Sequence, residues 1–317
     1  MANDSPISLT VELGPLRLKN PVMAASGTFG YGQEYAELVP PERLGAMVVK
    51  GISLEPRSGN PPPRIWETCG GMLNSIGLQN VGLRAFLEEK LPWLRQLSVP
   101  VIVNLFGNTV EEYRELASAL DGQEGIDGLE INISCPNVKA GGMTFGSDPE
   151  MAYQVVSAVK SRTNLPVITK LTPNVTDITV IAKAVQDAGT DILSLINTVA
   201  GMAVDLQTRQ PRLANVVGGL SGPAIKPIAL RMVWQVVQVS RVPVIGLGGI
   251  VSVADAIEFL IVGAKAIQVG TANFINPPVT LEIIDGLEDY LRRRGLEDIN
   301  EIIGTLEIPE GQPGTEH

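Results

Sequence analysis

Residues 243–271, PVIGLGGIVSVADAIEFLIVGAKAIQVGT, carry the pattern that decides the fold. The stretch opens with a short apolar run after Pro243, continues with apolar residues at helical spacing, and ends in a second apolar run at 266–271. Ser252 stands where a helix is expected to begin, because its hydroxyl can accept a hydrogen bond from a first-turn amide. The pattern predicts a strand, a helix and a second strand, which is the repeating unit of parallel sheets.

The same rhythm extends towards the N-terminus. Buried-strand patterns occur eight times, at 21–26, 46–50, 100–106, 128–134, 166–171, 192–198, 243–249 and 266–271. Helical patterns lie between most of them, and we predict helices at 110–120, 148–163, 176–188, 223–239, 252–262 and 280–294. Eight such units predict a closed α/β barrel of the (β/α)8 TIM type, with an open doubly wound sheet as the alternative. We expect one domain over 1–317 that ends in a mobile tail at 306–317.

Three segments depart from this rhythm. Residues 7–20 alternate apolar and polar on both sides of Gly14-Pro15, which predicts a short antiparallel hairpin within the N-terminal segment 1–20. Long inserts rich in Gly and Pro occupy 51–99 and 199–222, each after the C-terminal end of a predicted strand. Barrel enzymes place their sites at that end, so we predict functional inserted loops on this face.

Composition and charge argue against several classes of protein. The formal net charge of −10 disfavours a nucleic-acid partner, which needs a basic surface. The single histidine is His317, which argues against Ser-His-Asp hydrolases and most zinc enzymes, so we predict no metal site. Two cysteines, Cys69 and Cys135, are too few for a disulfide framework or an iron–sulfur cluster. The first ten residues resemble no leader peptide, and no apolar run is long enough to span a membrane, so a cytoplasmic location is expected.

Polar residues stand at the ends of most predicted strands. Taken singly, each is explained equally well as a capping or loop residue. In a closed barrel, however, equivalent positions on successive strands converge on one mouth, and six positions follow this rule. They are Ser26, Lys50, Asn104, Asn132, Lys170 and Asn197.

Glycines end the seventh and eighth predicted strands, in GLGGI (246–250) and VGTANF (269–274). A glycine there lets backbone N–H groups approach a phosphate closely, at the place where barrels often bind one. One such pair could equally form a tight turn, but two pairs in neighbouring units favour a phosphate site.

Cys135 lies in ISCPNVKAGG (133–142), directly after the fourth predicted strand. Pro136 prevents a helix here, so the thiol is expected on a loop at the barrel mouth. A lone cysteine is usually a small buried hydrophobe, but this position favours a reactive thiol that acts as a base. Cys69, in ETCGGM, lacks such a setting and is interpreted as structural.

Several long motifs together resemble one enzyme family, the dihydroorotate dehydrogenases, over about residues 7–300. Those that carry the resemblance are AASGTFG (24–30), VVKGIS (48–53), GNPPPRIWET (59–68), NSIGLQN (74–80), NISCPN (132–137), TKLTPNVTDI (169–178), INTVAGM (196–202), GGLSGPAIKP (218–227), GLGGI and VGTANF. The cysteine in NISCPN is similar to class 1 of the family, since class 2 has a serine there and an N-terminal extension.

Within class 1, the segment from 197 to 227 resembles subclass 1B, although Ala200 departs from a lysine that the family often has nearby. This resemblance implies a partner subunit that carries FAD and a [2Fe-2S] cluster and passes electrons to NAD+. It also implies a homodimer core within a heterotetramer.

The resemblance further implies a reaction and its residues. Cys135 would remove a proton from C5 of dihydroorotate, a hydride would pass from C6 to N5 of FMN, and Lys50 would lie between flavin and substrate. The implied FMN-binding residues are Ser26, Gly27, Lys50, Gly51, Asn104, Asn132, Lys170, Ile196, Gly222, Gly248, Gly249, Gly270 and Thr271. The implied substrate-binding residues are Lys50, Asn74, Ser75, Ile76, Gly77, Leu78, Asn132, Asn137, Asn197 and Thr198.

Other functions compete with this one. A related FMN barrel could act on another pyrimidine, of the dihydropyrimidine or dihydrouridine type, although a tRNA substrate would favour a basic surface. A non-redox phosphate-binding barrel, such as an aldolase, could use Lys50 or Lys170 to form a Schiff base. A protein that only binds a ligand is the third alternative.

Overall fold

A computed structural model describes residues 7–134 and 145–309. Eight parallel strands close into a barrel, and their order around it follows the chain. They are β3 (Val22–Ala24), β4 (Ala46–Ile52), β7 (Val101–Leu105), β8 (Gly128–Asn132), β9 (Val167–Lys170), β10 (Ile192–Leu195), β13 (Val244–Leu247) and β14 (Ala266–Val269). Pairing of Ile267 with Val22 joins the last strand to the first, which confirms the closed barrel and rejects the open sheet.

Helices surround the barrel and bury its outer surface. The six long ones are α3 (Val110–Leu120), α4 (Pro149–Lys160), α5 (Ile178–Asp187), α6 (Lys226–Val239), α7 (Val253–Ile261) and α9 (Val279–Arg294). The shorter ones are α1 (Gly82–Ala85) and α2 (Leu91–Leu94), which flank a π-helical turn (Phe86–Lys90), and α8 (Ala272–Ile275). All six predicted helices are therefore confirmed. Ser252 caps α7 as predicted, and Asp148 caps α4 in the same way. Each accepts a first-turn amide, an interaction that typically stabilises a helix by about 1 kcal/mol.

The predicted N-terminal hairpin is present as β1 (Val11–Leu13) and β2 (Leu16–Leu18), which pair antiparallel. Gly14 adopts a positive φ of 60° in its turn, and a side chain there would begin 3.4 Å from the carbonyl oxygen of Asp191. Asp191 immediately precedes β10, so the hairpin lies at the N-terminal end of the barrel. The hairpin therefore leaves the C-terminal end of the barrel open for the functional site.

The two long inserts form a second sheet, which we call the accessory sheet. It consists of β5 (Ile65–Thr68), β6 (Gly71–Asn74), β11 (Val199–Met202) and β12 (Val217–Ser221), in the antiparallel order β11-β12-β6-β5. The sequence predicted only loops here. The pair β12 and β6 places Gly219 opposite Asn74, and no local pattern reveals a contact between residues so distant in the chain.

Cys69 lies exposed in the tight turn between β5 and β6, so it is not a residue of the core. Near the predicted tail, the amide of Leu306 donates to the carbonyl of Ile261, and residues beyond 309 lie outside the described part. No helix within the described ranges has both the length and the apolar character needed to cross a membrane.

Candidate active site

A cavity of about 730 Å³ opens at the C-terminal end of the barrel, between the strand ends and the accessory sheet. This volume is in the usual range for sites that hold a small ligand or cofactor. Every predicted site residue that the structure describes lines it. These are Ser26, Gly27, Lys50, Gly51, Asn74, Ser75, Ile76, Gly77, Leu78, Asn104, Asn132, Lys170, Ile196, Asn197, Thr198, Gly222, Gly248, Gly249, Gly270 and Thr271. Cys135 and Asn137 lie outside the described residues.

The charge of the cavity is opposite to that of the whole protein. Lys50, Arg64 and Lys170 line it, whereas no Asp or Glu is present among its described lining residues. The chain as a whole carries a formal net charge of −10. Three cations in a cavity whose described lining holds no carboxylate suit a ligand with more than one anionic group, such as a phosphate and a carboxylate.

Glycines of the seventh unit form a cradle for a phosphate. Gly248 and Gly249 have φ values of 126° and 79°, which a side chain would disfavour. A Cβ on Gly249 would also stand 2.8 Å from the backbone nitrogen of Lys226. Among residues 7–134 and 145–309, no acceptor receives the amide protons of these two glycines. Donors of this kind, beside the cavity, fit a phosphate group.

The accessory sheet is joined to the end of the eighth unit by a pair of hydroxyl groups. Thr271 Oγ1 donates to Ser221 Oγ at 2.7 Å, and Ser221 belongs to β12. Both residues line the cavity. The sheet is therefore fixed to the barrel at the same place as the glycine cradle.

The floor of the cavity is a layer of polar side chains from the barrel strands. The Lys170 ammonium donates to Ser26 Oγ at 3.4 Å, and its Nζ lies 3.6 Å from Glu130 Oε1. Asn104 and Gln268 line the floor beside them. The Oε1 atom of Gln268 is buried without a hydrogen-bond partner, which is costly unless a ligand supplies a donor. The ribityl hydroxyl groups of FMN offer such donors, so the residues present fit this cofactor.

Amide side chains form one wall of the cavity. Asn197 Nδ2 donates to Asn132 Oδ1 at 3.4 Å, and the backbone amide of Thr198 donates to Asn197 Oδ1 at 2.8 Å. From the accessory sheet, Asn74 Nδ2 donates to the carbonyl of Gly219 at 3.3 Å. Amides supply donors and acceptors side by side, which matches the alternating N–H and C=O edge of a pyrimidinedione.

The 75–78 loop is held by side chains that the sequence analysis did not single out. Asn60 Nδ2 donates to the carbonyl of Ser75 at 2.9 Å, and Arg64 Nη2 donates to Gln79 Oε1 at 2.6 Å. Asn60 and Arg64 are the first and last residues of the NPPPR stretch. That stretch contributed to the family resemblance but received no role from it.

Lys50 follows the buried part of β4, and its pKa is lowered. Burial is the main cause, the nearby charge of Arg64 adds to it, and Glu34 opposes both. The next residue, Gly51, leaves space for Asn104, because a Cβ there would lie 2.4 Å from Asn104 Oδ1. The strand thus presents an ammonium group beside a tightly packed amide.

Ser134, the residue before Cys135, also lines the cavity. Its hydroxyl donates to the carbonyl of Lys170 at 3.1 Å, and its amide donates to Asn132 Oδ1 at 3.2 Å. The chain that leads to Cys135 is thereby anchored at the mouth of the barrel.

Glu130, Gln268 and Ser134 were all missed as site residues. The sequence pointed to two of them, because Glu130 and Gln268 are polar residues inside otherwise apolar strands.

Comparison with known proteins gives the same family from a family model and from individual relatives. Residues 8–291 match the family model described as dihydroorotate dehydrogenase. The chain is 60% identical over 298 residues to a protein of Geotalea uraniireducens named dihydroorotate dehydrogenase B (NAD(+)), catalytic subunit, which covers 94% of this chain and 98% of the relative. A protein of Geobacter metallireducens with the same name is 59% identical over 300 residues, or 95% of this chain and 98% of the relative.

Proposed function

The chain belongs to the dihydroorotate dehydrogenase family, and we propose that it oxidises dihydroorotate to orotate, a step of pyrimidine biosynthesis, as the catalytic subunit of an NAD+-linked enzyme. One observation carries the proposal. A single cavity combines three cations, a glycine cradle and a wall of amides, which suits a phosphorylated cofactor next to an anionic pyrimidine.

FMN is the cofactor that we assign to this cavity, and it supplies the acceptor for the hydride that leaves C6 of the substrate. Backbone amides at the ends of β13 and β14 would hold its phosphate, with Gly222 close by. Lys170 and Asn104 would face its ring system from the floor, and the ammonium of Lys170 would favour the reduced, more negative form. The other residues that we assign to FMN also line the cavity, and they are Ser26, Gly27, Gly51, Asn132, Ile196, Gly248, Gly249, Gly270 and Thr271.

The substrate would lie between the amide wall and the accessory sheet. Asn74, Asn132 and Asn197, together with Thr198 and Asn137, would bind the pyrimidine ring, while Lys50 and the backbone of the 75–78 loop would bind the carboxylate. Cys135 would take the proton from C5 as the hydride leaves C6, and the electron pair of the C5–H bond becomes the new double bond. A thiol serves as this base because its reference pKa of about 8.5 lies close to neutrality.

The words "catalytic subunit" in the relatives' names imply that a second subunit accompanies each of those proteins. For this chain we propose a partner that carries FAD and a [2Fe-2S] cluster and passes the electrons to NAD+. The expected assembly is a heterotetramer built on a homodimer of this chain, and the expected location is the cytoplasm.

The proposal is tested with purified protein and added FMN. We expect a yellow complex that dihydroorotate bleaches without air, and we expect orotate to perturb the flavin spectrum where uracil does not. Bleaching by dihydrouracil instead would indicate another pyrimidine substrate. A protein that is colourless after incubation with excess FMN and removal of the unbound flavin would contradict the proposal and favour the non-redox phosphate-binding barrel.

A further inference from the structure

We propose that Glu130 is a positioning residue that sets the reduction potential of bound FMN through Lys170. This inference rests on the proposed function, because it assumes that FMN occupies the cavity. Glu130 does not line the cavity itself. It lies one layer deeper, at the centre of β8, and is fully buried.

Four side chains from four other strands converge on this carboxylate. Its Oε1 accepts from Asn104 Nδ2 at 2.8 Å and lies 3.6 Å from Lys170 Nζ. Its Oε2 accepts from Gln268 Nε2 at 2.9 Å and from Ser194 Oγ at 3.1 Å. Asn104, Gln268 and Lys170 are three of the groups that form the cavity floor. The floor is therefore assembled on Glu130.

An isolated buried carboxylate would be strongly destabilising, so its surroundings must compensate it. Both oxygens of the Glu130 carboxylate have polar partners. The two amide nitrogens and the ammonium nitrogen among these partners can donate a hydrogen bond but cannot accept one. This arrangement matches a negatively charged carboxylate that pairs with Lys170.

Lys170 differs from the other two cations of the cavity in this pairing. Within the described residues, neither Lys50 nor Arg64 has a carboxylate within ion-pair distance, whereas Lys170 has Glu130. The pairing fixes the ammonium at the floor and offsets part of its charge. A lysine that is held and partly neutralised favours reduced flavin less than a free one would. The resulting lower potential suits a site that must give its electrons onward to NAD+.

The test is the reduction potential of the FMN-loaded protein. Glu130→Gln keeps the shape but removes the charge, so Lys170 is no longer compensated. We expect the equilibrium to shift towards reduced flavin by at least tenfold, which equals about 30 mV for a two-electron couple. In a Lys170→Met background the same change should shift the equilibrium less than threefold, because the residue through which Glu130 acts is gone. Glu130→Asp, which retains the charge, should remain within threefold of the wild type.

A matched control separates this effect from general loosening of the barrel. Thr169 neighbours Lys170 on β9, and its buried hydroxyl lies 2.8 Å from that of Thr190. Thr169→Val should lower stability and leave the potential unchanged. The proposal would be overturned if Thr169→Val shifted the potential as much as Glu130→Gln does. It would also be overturned if Glu130→Gln shifted the potential equally in the wild-type and the Lys170→Met backgrounds.

A second measurement covers the possibility that Glu130→Gln does not fold. In urea unfolding of the FMN-free protein, Lys170→Met leaves a buried charge unpaired, whereas the double variant leaves none. The double variant should be more stable than Lys170→Met, and the opposite order would contradict the pairing. Failure of the wild type to bind FMN would reject the proposed function, whereas a yellow wild type with an unshifted Glu130→Gln would reject only this inference.

Discussion

The barrel strands and the accessory sheet border the same cavity but are built differently. Residues of β9, β10, β13 and β14 are all buried, because the barrel interior lies on one side and helices on the other. In the accessory sheet, Ile65 of β5, Met202 of β11 and Val217 of β12 are about half exposed. Elements with little burial open more easily than core elements. The strand-end side of the cavity is therefore the more rigid side, and the accessory-sheet side is the one that adjusts more easily.

This difference predicts a division of labour. Groups from the strand ends should govern chemistry and cofactor binding, and the accessory sheet should govern the affinity for the substrate. Changes on the two sides should then leave different kinetic signatures.

The largest effect is expected from Cys135→Ser, at the residue that follows Ser134 in the chain. A serine hydroxyl is a far poorer base, so the rate of flavin reduction by dihydroorotate should fall by about 10²–10⁴, while FMN remains bound. Single-turnover mixing without air measures that rate. Cys69→Ser is the matched control, since Cys69 lies exposed at the β5–β6 turn and should not change the rate. Nearly unchanged flavin reduction by Cys135→Ser would remove this residue from the chemistry.

The same contrast explains how much of the molecule the sequence could predict. The barrel strands were predictable because each is a short apolar run, often opened by Pro-Val, and burial on both faces dictates that pattern locally. Lys50, Asn104 and Lys170 were predictable because barrel topology brings equivalent strand ends together. The side chains of Cys135 and Asn137 remain predictions.

The accessory sheet was not predictable, for two physical reasons. Its strands contain glycine, as in VAGM and VGGLS, so they lack the alternation that indicates a half-buried strand. Their pairing also joins distant inserts, and it depends on contacts that exist only after folding. The partnership between Glu130 and Lys170 is hidden for the same reason, since the two lie on separate strands.

A smaller effect is expected from Gly219→Ala, on the side of the accessory sheet. A Cβ there would stand 2.0 Å from Thr198 Oγ1, so the sheet and the amide wall would have to separate. Such overpacking costs about 1–3 kcal/mol, and we expect KM for dihydroorotate to rise roughly tenfold with FMN retained. Met202→Ala, an exposed position on β11, should leave KM unchanged. Loss of FMN with an unchanged KM would contradict the division of labour.

The smallest effect concerns Lys50, where the two regions meet. Burial, and after it the charge of Arg64 from the accessory side, lowers the pKa of Lys50 below its ordinary value of 10.5. The folded protein therefore binds this proton less tightly than the unfolded chain, and the free energy of unfolding is reduced at neutral pH. That penalty should be relieved as pH rises through the window between the lowered pKa and 10.5.

Lys50→Met should consequently be more stable than the wild type at neutral pH, and its advantage should shrink as pH rises through that window. Arg64→Gln, which removes only the lesser cause, should give a partial version of the same profile. Urea unfolding of the FMN-free protein at a series of pH values measures the difference. A Lys50→Met difference that is flat with pH, or that grows as pH rises, would contradict the lowered pKa of Lys50 itself. A flat profile for Arg64→Gln alone would mean that burial lowers this pKa without help from the accessory side.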